Sequence, residues 1–454
     1  MMGHDGDGGR GRLPGLLAVL LGVAVITLDI SLTSTALPAI ANGLGASAGS
    51  TIWIINVYYL AVVAALLPMG ALGEIHGHRR VFLVGLLTFA AGALACGLAW
   101  SLPSLAVARA VLGLGSAAVS ATTPGLIRTV YPPERLGRGL GLYALVVGVA
   151  FTVGPTTASA ILSVLDWPWL FLSNLPIALL AFVLSVRNLP PTERHRRPFD
   201  GMAAALCAGM FALLLFAIAG AAHGTGWLPM ALAGLAAAGC GYALWRREAG
   251  SPTPILAIDL FQNPVFALSA ATSICAFAIQ GLVFVALPIL FQTELGYSQV
   301  EAGFLITPWP VTLAVMTLVA APMADRVSPG LLGGAGLLLV AFGLAMLATL
   351  TPAAGVADIA WRLVLCGIGF GFFQSPNMKA IMTSAPRHRS GGAGGILATS
   401  RLLGQSVGAA LVALCLHAFA ANGLVAVLWL GAGLALCGSA TSFLRTLPAV
   451  RGHG

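Results

Sequence analysis

The feature that most limits what this chain can fold into is a succession of apolar runs, each nearly free of charge and about 20 residues long. A hydrocarbon core about 30 Å thick is crossed by roughly that length of helix. No water lies inside such a core to satisfy a bare backbone, so a helix is the natural element for each run. The runs are separated by short charged or Gly/Pro-rich loops. They predict spans at 14–36, 52–73, 80–99, 104–126, 139–162, 168–187, 201–221 and 228–245. Further spans are predicted at 266–290, 301–321, 331–350, 357–378, 394–416 and 423–444. The runs are unbroken, unlike the alternating strands of about ten residues in a membrane β-barrel, so the barrel is excluded.

Composition agrees. Only 8% of the 454 residues are charged, against about 25% in an ordinary soluble protein. Such a chain cannot clothe its surface in ionised groups, and lipid is expected to be its solvent. The net charge of +8 does not point to nucleic acid, because the basic residues are scattered through short loops. The polar stretch 1–12 leads into an apolar run that continues as a span, so a membrane helix is expected there rather than a cleaved leader. The seven cysteines lie within apolar runs without metal or redox spacing and are read as packing residues. The chain has no Gly-Lys-Ser/Thr sequence, no His-Glu-x-x-His and no Cys/His cluster. No metal, cofactor or enzymatic activity is therefore expected.

Of the 22 Lys and Arg residues, all but Arg109, Arg362 and Arg401 fall in loops on one side if the N-terminus is inside. The loops on the other side have none. By the positive-inside rule, both termini are expected in the cytoplasm, with the chain in the inner (plasma) membrane.

Comparison of the chain with itself shows a repeat. Glu74 and Asp325, Pro124 and Pro376, Pro133 and Pro386, and Arg109 and Arg362 are matched pairs, all separated by nearly the same number of residues. The expected organisation is a cytoplasmic tail at 1–13, a six-helix bundle at 14–189 and two inserted helices with linkers at 190–260. A second six-helix bundle at 261–445 and a tail at 446–454 complete it. Parallel six-helix repeats around a central pathway are a transporter architecture.

Several motifs carry a family resemblance. They are Gly70-Ala-Leu-Gly-Glu74-Ile-His-Gly77-His-Arg79-Arg80, Leu28-Asp29 through Pro38, and Arg109 with Gly113 and Gly115. Gly148 with Gly154-Pro155, Trp167 through Pro176 with Asn174 inside it, and Leu295 through Gly303 complete the set. Together they resemble the major facilitator superfamily, specifically its fourteen-span drug/proton antiporter branch of multidrug efflux type. The resemblance implies an all-α membrane protein with two six-helix bundles plus two inserted helices. It also implies alternating access driven by a proton gradient, and export of small amphipathic, drug-like molecules associated with antibiotic resistance. The chain departs from the family pattern at Glu74, Ile75, Leu112, Ala158 and Ser159, and it has Asn56 where some multidrug members carry an acid.

Asp29 is the one acid clearly near the middle of a span. A charge there costs about 2.5–3.5 kcal/mol on insertion scales, which favours a functional role over a decorative one. Burial and a neighbouring cation pull a carboxyl's proton affinity in opposite directions, so Asp29 is a candidate proton carrier. The resemblance implies Arg109 as its partner; the alternative for Arg109 is a helix-end residue snorkelling to the interface. Arg401 is a substrate contact or a structural anchor. Glu74, Arg79 and Arg80, with Asp325 and Arg326 in the second half, are assigned by resemblance to a gate together with Gly70 and Gly77. Gly148, Gly154 and Pro155 are expected to kink span 5 and allow close helix contact. Trp53, Asn56 and Tyr59 in span 2, and Gln280, Trp309, Gln374 and Asn377 in the second half, suit an amphipathic ligand. Each is equally open to a packing role. An uncoupled facilitator or dedicated metabolite exporter, with Asp29 structural, is the competing reading, and a transporter-fold sensor is a more distant one. The expected partners are a small amphipathic molecule, protons and the bilayer. A periplasmic adaptor is left open.

Overall fold

The computed structural model describes residues 12–130, 136–192, 200–222, 227–248, 258–324, 326–351, 354–385, 390–419 and 422–447. Every regular element among them is helical. The first half holds α1 (Arg12–Thr35), α2 (Leu37–Leu44), α3 (Ala48–Thr51), α4 (Trp53–His76) and α5 (His78–Gly97). It continues with α6 (Leu102–Val130), α7 (Leu136–Leu162), α8 (Pro168–Leu172) and α9 (Asn174–Asn188). Next come α10 (Gly201–Ala222) and α11 (Trp227–Glu248). The second half holds α12 (Pro264–Thr293), α13 (Gln299–Ile306), α14 (Pro308–Met323) and α15 (Pro329–Ala348). It ends with α16 (Val356–Ser384), α17 (Ser390–Ala418) and α18 (Gly423–Leu444).

Twelve helices are long and apolar enough, among the described residues, to cross a membrane. The expected fourteen are thus not all met by this measure. The two that fall short are α7 and α10, whose apolar stretches Val146–Leu162 and Gly201–Leu214 are shorter. Large apolar side chains such as Val84, Val107, Leu235, Leu318 and Phe342 face outward, as lipid-facing surfaces require. α12 is enclosed on nearly all sides, whereas α11 presents most of its surface outward.

Local sequence explains many of the helix starts. Asn263 accepts from the backbone N–H groups of Val265 and Phe266 and caps α12. Ser298 and Glu301 form a reciprocal capping box on α13. Asp200 accepts from Ala203 N–H at the start of α10 and is also gripped by Arg247 from the end of α11. That pairing closes the inserted helical hairpin. Pro38 was expected to lie just beyond span 1. Instead it sits in the first turn of α2, where a missing N–H costs nothing. The helical path of span 1 therefore runs on to Leu44, where Gly45 ends it in the left-handed region at φ 61°.

The repeat seen in the sequence is present in the packing. α1 lies against α7 and α9, and α6 against α4 and α5; α12 lies against α17 and α18, and α16 against α14 and α15. Close approaches fall in the same register. A side chain on Gly113 of α6 would strike the Tyr58 carbonyl, and one on Gly367 of α16 would strike the Trp309 carbonyl. Gly115 and Gly369 meet the carbonyls of Gly85 and Gly336 in the same way. Tyr58 and Trp309 are thus equivalent positions 251 residues apart, and the same offset carries Asp29 onto Gln280. The acid of the first half is a neutral amide in the second.

The two bundles meet firmly at the end remote from the chain termini. There Thr156 and Thr307 share a hydrogen bond of 3.0 Å. Ser159 fills the space left by the absent side chain of Gly303. Phe151 and Phe284 pack edge to face with centroids 5.1 Å apart. α10 packs on both α4 and α17, so the insert lies alongside both halves.

Candidate functional site

α1, α6 and α9 bring Asp29, Arg109 and Asn174 together in the interior of the first bundle. Arg109 Nη1 donates to Asp29 Oδ2 at 2.6 Å, and both side chains are 1% exposed. Asn174 Nδ2 donates to the other carboxylate oxygen at 3.0 Å. Arg109 Nε reaches the Ile54 carbonyl at 3.4 Å. Tyr58 lies beneath the guanidinium, with its ring centroid 4.4 Å from Cζ, and Phe171 stands 5.7 Å away. Arg109 lies two turns inside α6, packed and paired rather than snorkelling at a helix end. A buried ion pair survives only when its remaining hydrogen bonds are met, and both carboxylate oxygens here have donors.

This group is joined to the interface between bundles. Pro155 has no N–H to offer the carbonyl of Phe151 one turn earlier. Ser31, two residues after Asp29, donates its hydroxyl to that carbonyl at 3.0 Å. A side chain on Gly154 would overlap Ser31 directly, so Gly154 and Pro155 together create the seat for α1 on α7. Phe151 in turn meets Phe284 across the bundle boundary. Gly148 lies on the same helix, with nothing near the place a side chain would take.

The remaining expected residues are more scattered. Asn56 is buried at 3% exposure with neither amide atom hydrogen-bonded, and the indole N–H of the buried Trp309 likewise has no partner. Tyr59 is buried, one turn after Asn56. Trp53 is half-buried. Gln280 accepts from Gln405 Nε2 at 3.0 Å. Phe284, Trp309, Phe370, Phe277 and Phe373 form a continuous aromatic cluster between α12, α14 and α16. Gln374 is half-buried. Asn377 is committed elsewhere: it donates to Ser273 Oγ at 2.7 Å and accepts from Arg445 at 2.7 Å. Arg445, expected among the loop and tail cations, is instead buried and also donates to Ser269. Burial of this residue was not legible beforehand, since an arginine just past a span normally reads as a topology signal. Arg362, the repeat partner of Arg109, forms no interior pair. It is bound to Asp358 one turn away and to the Met346 carbonyl.

In the loop between α4 and α5, Gly77 has φ 93° and ψ 130°, a region that excludes other residues and fixes a glycine there. Glu74 and Arg80 are exposed, and Gly70 lies a turn deeper in α4. Arg79 donates to the Val186 carbonyl at 2.6 Å and, from its backbone, to the Thr192 hydroxyl at 3.2 Å. It therefore ties the start of α5 to the end of α9 within its own bundle. His78, not singled out from the sequence, lies where side chains on Gly73 and Gly125 would otherwise be. Asp325 is outside the described residues, and Arg326 is exposed. A cavity of about 370 Å³ lies at the end near the termini, lined by residues that include Gly15, Thr129 and Arg187. None of the expected substrate residues lines it.

Known proteins share this design. The chain is 43% identical over 443 residues to the "uncharacterized transporter YebQ" of Escherichia coli (strain K12), covering 97% of both chains. It is 33% identical to the tetracenomycin C resistance and export protein of Streptomyces glaucescens, over 89% of this chain and 76% of that one. A solved POT family transporter in complex with a thioalcohol-conjugated peptide superposes with a TM-score of 0.75 at 13% identity, covering 96% of each chain. The profile of the Major Facilitator Superfamily matches residues 19–409. With its paired helical bundles and multiple membrane-spanning helices, this integral membrane transporter belongs to the Major Facilitator Superfamily.

Proposed function

We propose that the protein is a secondary active exporter that exchanges inward protons for outward small amphipathic molecules by alternating access. The observation that carries this reading is the buried Asp29–Arg109–Asn174 group, set on three helices and linked through Ser31 to the contact between bundles. A proton taken up by Asp29 cancels one charge of the pair and loosens the hold of α1 on α6 and α9. The Ser31–Phe151 bond and the Gly154–Pro155 kink pass that change to α7, which bears on α13 and α14 of the second bundle. A packed element with two arrangements, biased by protonation on one side and substrate on the other, is what coupling requires.

In this reading α7 and α10 also cross the bilayer, which makes fourteen spans. Both termini are cytoplasmic and the membrane is the inner (plasma) membrane. Glu74, with Asp325 and Arg326 in the second half, acts at the cytoplasmic gate. The aromatic and amide residues between the halves receive the substrate. Its nature as a drug-like compound is supported by the export role in the name of the Streptomyces relative.

The test is transport by purified protein in liposomes with and without an imposed pH gradient. Accumulation against a substrate gradient, abolished when the pH gradient is collapsed, is the expected result. Equal rates in both conditions would favour an uncoupled facilitator in which Asp29 is purely structural.

A further inference from the structure

Arg401, like Arg109 and Arg362, lies within a described span rather than in its last turn. Arg109 is matched by Asp29 and Arg362 by Asp358. Arg401 lies within the Ala393–Ala418 span, half-buried, and no hydrogen bond or ion pair engages it among the described residues. Its surroundings face the boundary between bundles. Its helix, α17, packs directly on α4, which carries Tyr58 and Tyr59. Gln405, one turn further along α17, is joined to Gln280 of α12. On α4, Asn56 lies one turn from Tyr59, nine-tenths or more buried, with both amide atoms unpartnered.

A guanidinium without a counter-ion at membrane depth is costly, and such residues mark substrate pathways. An unpaired buried amide is likewise an open hydrogen-bonding position. The charge balance of this region gives the sign of what is missing. Asp29 and Arg109 cancel each other within the first bundle, so that pair supplies no counter-charge to Arg401.

We propose that the transported molecule is an aromatic or otherwise apolar anion whose carboxylate or sulfonate is held by Arg401. Asn56 hydrogen-bonds it, and its apolar body lies against Tyr59 and the second-half aromatic cluster. This rests on the exporter reading and narrows its substrate class. It has an energetic consequence. Exchange of one inward proton for one outward monoanion moves two charges in the same sense, so an inside-negative potential drives it. Exchange for a monocation moves none.

The test uses a matched pair of tritiated probes, 2-naphthoate and 2-naphthylmethylammonium, which share a ring and differ in charge. Binding is measured in phosphatidylcholine nanodiscs for the wild type, Arg401→Gln and Arg401→Lys, each checked for an unchanged melting temperature. The expected result is a preference for the naphthoate. Affinity for it should fall by about tenfold or more in Arg401→Gln, the size of a lost charge-assisted hydrogen bond, and recover substantially in Arg401→Lys. A wild type without preference for the anion, or an Arg401→Gln protein with undiminished preference, overturns the inference. If phosphatidylglycerol in the disc displaces naphthoate through Arg401, the cation serves a lipid headgroup and the substrate assignment falls. In liposomes, a valinomycin-clamped inside-negative potential should speed naphthoate export. Gradient-driven flux of the cation with no response to potential overturns this inference while leaving the proton exporter intact. Loss of pH-gradient dependence for both probes strikes the exporter reading instead.

Discussion

Replacing Asp29 by Asn keeps the shape of the side chain and its hydrogen-bond oxygen but leaves Arg109 buried without a counter-charge. Breaking one side of a buried, hydrogen-bonded pair costs about 3–5 kcal/mol. Both partners here are 1% exposed, so solvent screening does not reduce that figure to a surface value. The retained amide oxygen places the expected cost near the low end, about 3 kcal/mol. Arg109→Gln should be milder, because a lone buried carboxyl can escape its charge by binding a proton, whereas a lone guanidinium cannot lose one. The double replacement leaves two neutral amides able to bond each other. It should therefore cost less than the two single changes added together, with an interaction free energy of about 1–3 kcal/mol across the cycle. Thermal unfolding in detergent micelles measures the three variants. Transport in liposomes then separates stability from coupling: the double variant should be well folded, carry substrate downhill and fail to concentrate it. Strictly additive destabilisation would refute the argument that the pair acts as a unit.

Three further outcomes follow from the same geometry. Glu74→Gln should slow transport more than it weakens substrate binding, because a gate acts on the balance of conformations; lost binding with normal exchange would place Glu74 in the substrate site. Gly303→Ala inserts a methyl where Ser159 lies, so spin labels at Trp100 and Glu294 should report a larger population of long distances across the end remote from the termini. An unchanged distance distribution would mean that this contact does not govern opening. A cysteine at Thr192 should react with an impermeant maleimide only from the cytoplasm, and one at Trp100 only from outside; the reverse pattern would invert the orientation and every gate assignment with it.

Much of this architecture was readable because a membrane imposes a length and a polarity on each helix, and α4, α5, α12 and α15 lie close to their predicted ranges. The repeat was readable for a related reason. Landmarks such as Arg109 and Arg362 lie within the matching helices α6 and α16, where spacing is rigid. Their chemistry was not carried by the repeat, since Arg109 found Asp29 while Arg362 found only its neighbour Asp358. Asp29 was legible as the one acid near the middle of a span, whereas its pairing with Arg109 came from the family resemblance and not from the residues alone. The role of Asn174 was not legible, because an amide near the start of a helix reads equally well as a cap. Arg445 was misread for a similar reason. One residue beyond a span, an arginine that folds back to Asn377 and Ser269 has the same sequence signature as one that meets solvent. The continuation of span 1 through α2 was missed because Pro38 reads as a stop unless its place in a new first turn is known.

The central claim is that Asp29 carries the proton that drives export, and simultaneous measurement of proton and substrate movement in the same liposomes tests it most directly. A pH-sensitive dye trapped inside reports protons, and a labelled substrate reports flux against its gradient. The account predicts proton entry tied in fixed proportion to substrate exit in the wild type. In a well-folded Asp29→Asn protein it predicts downhill exchange with no coupled proton entry. An Asp29→Asn protein that still admits protons in that proportion and concentrates substrate would contradict it.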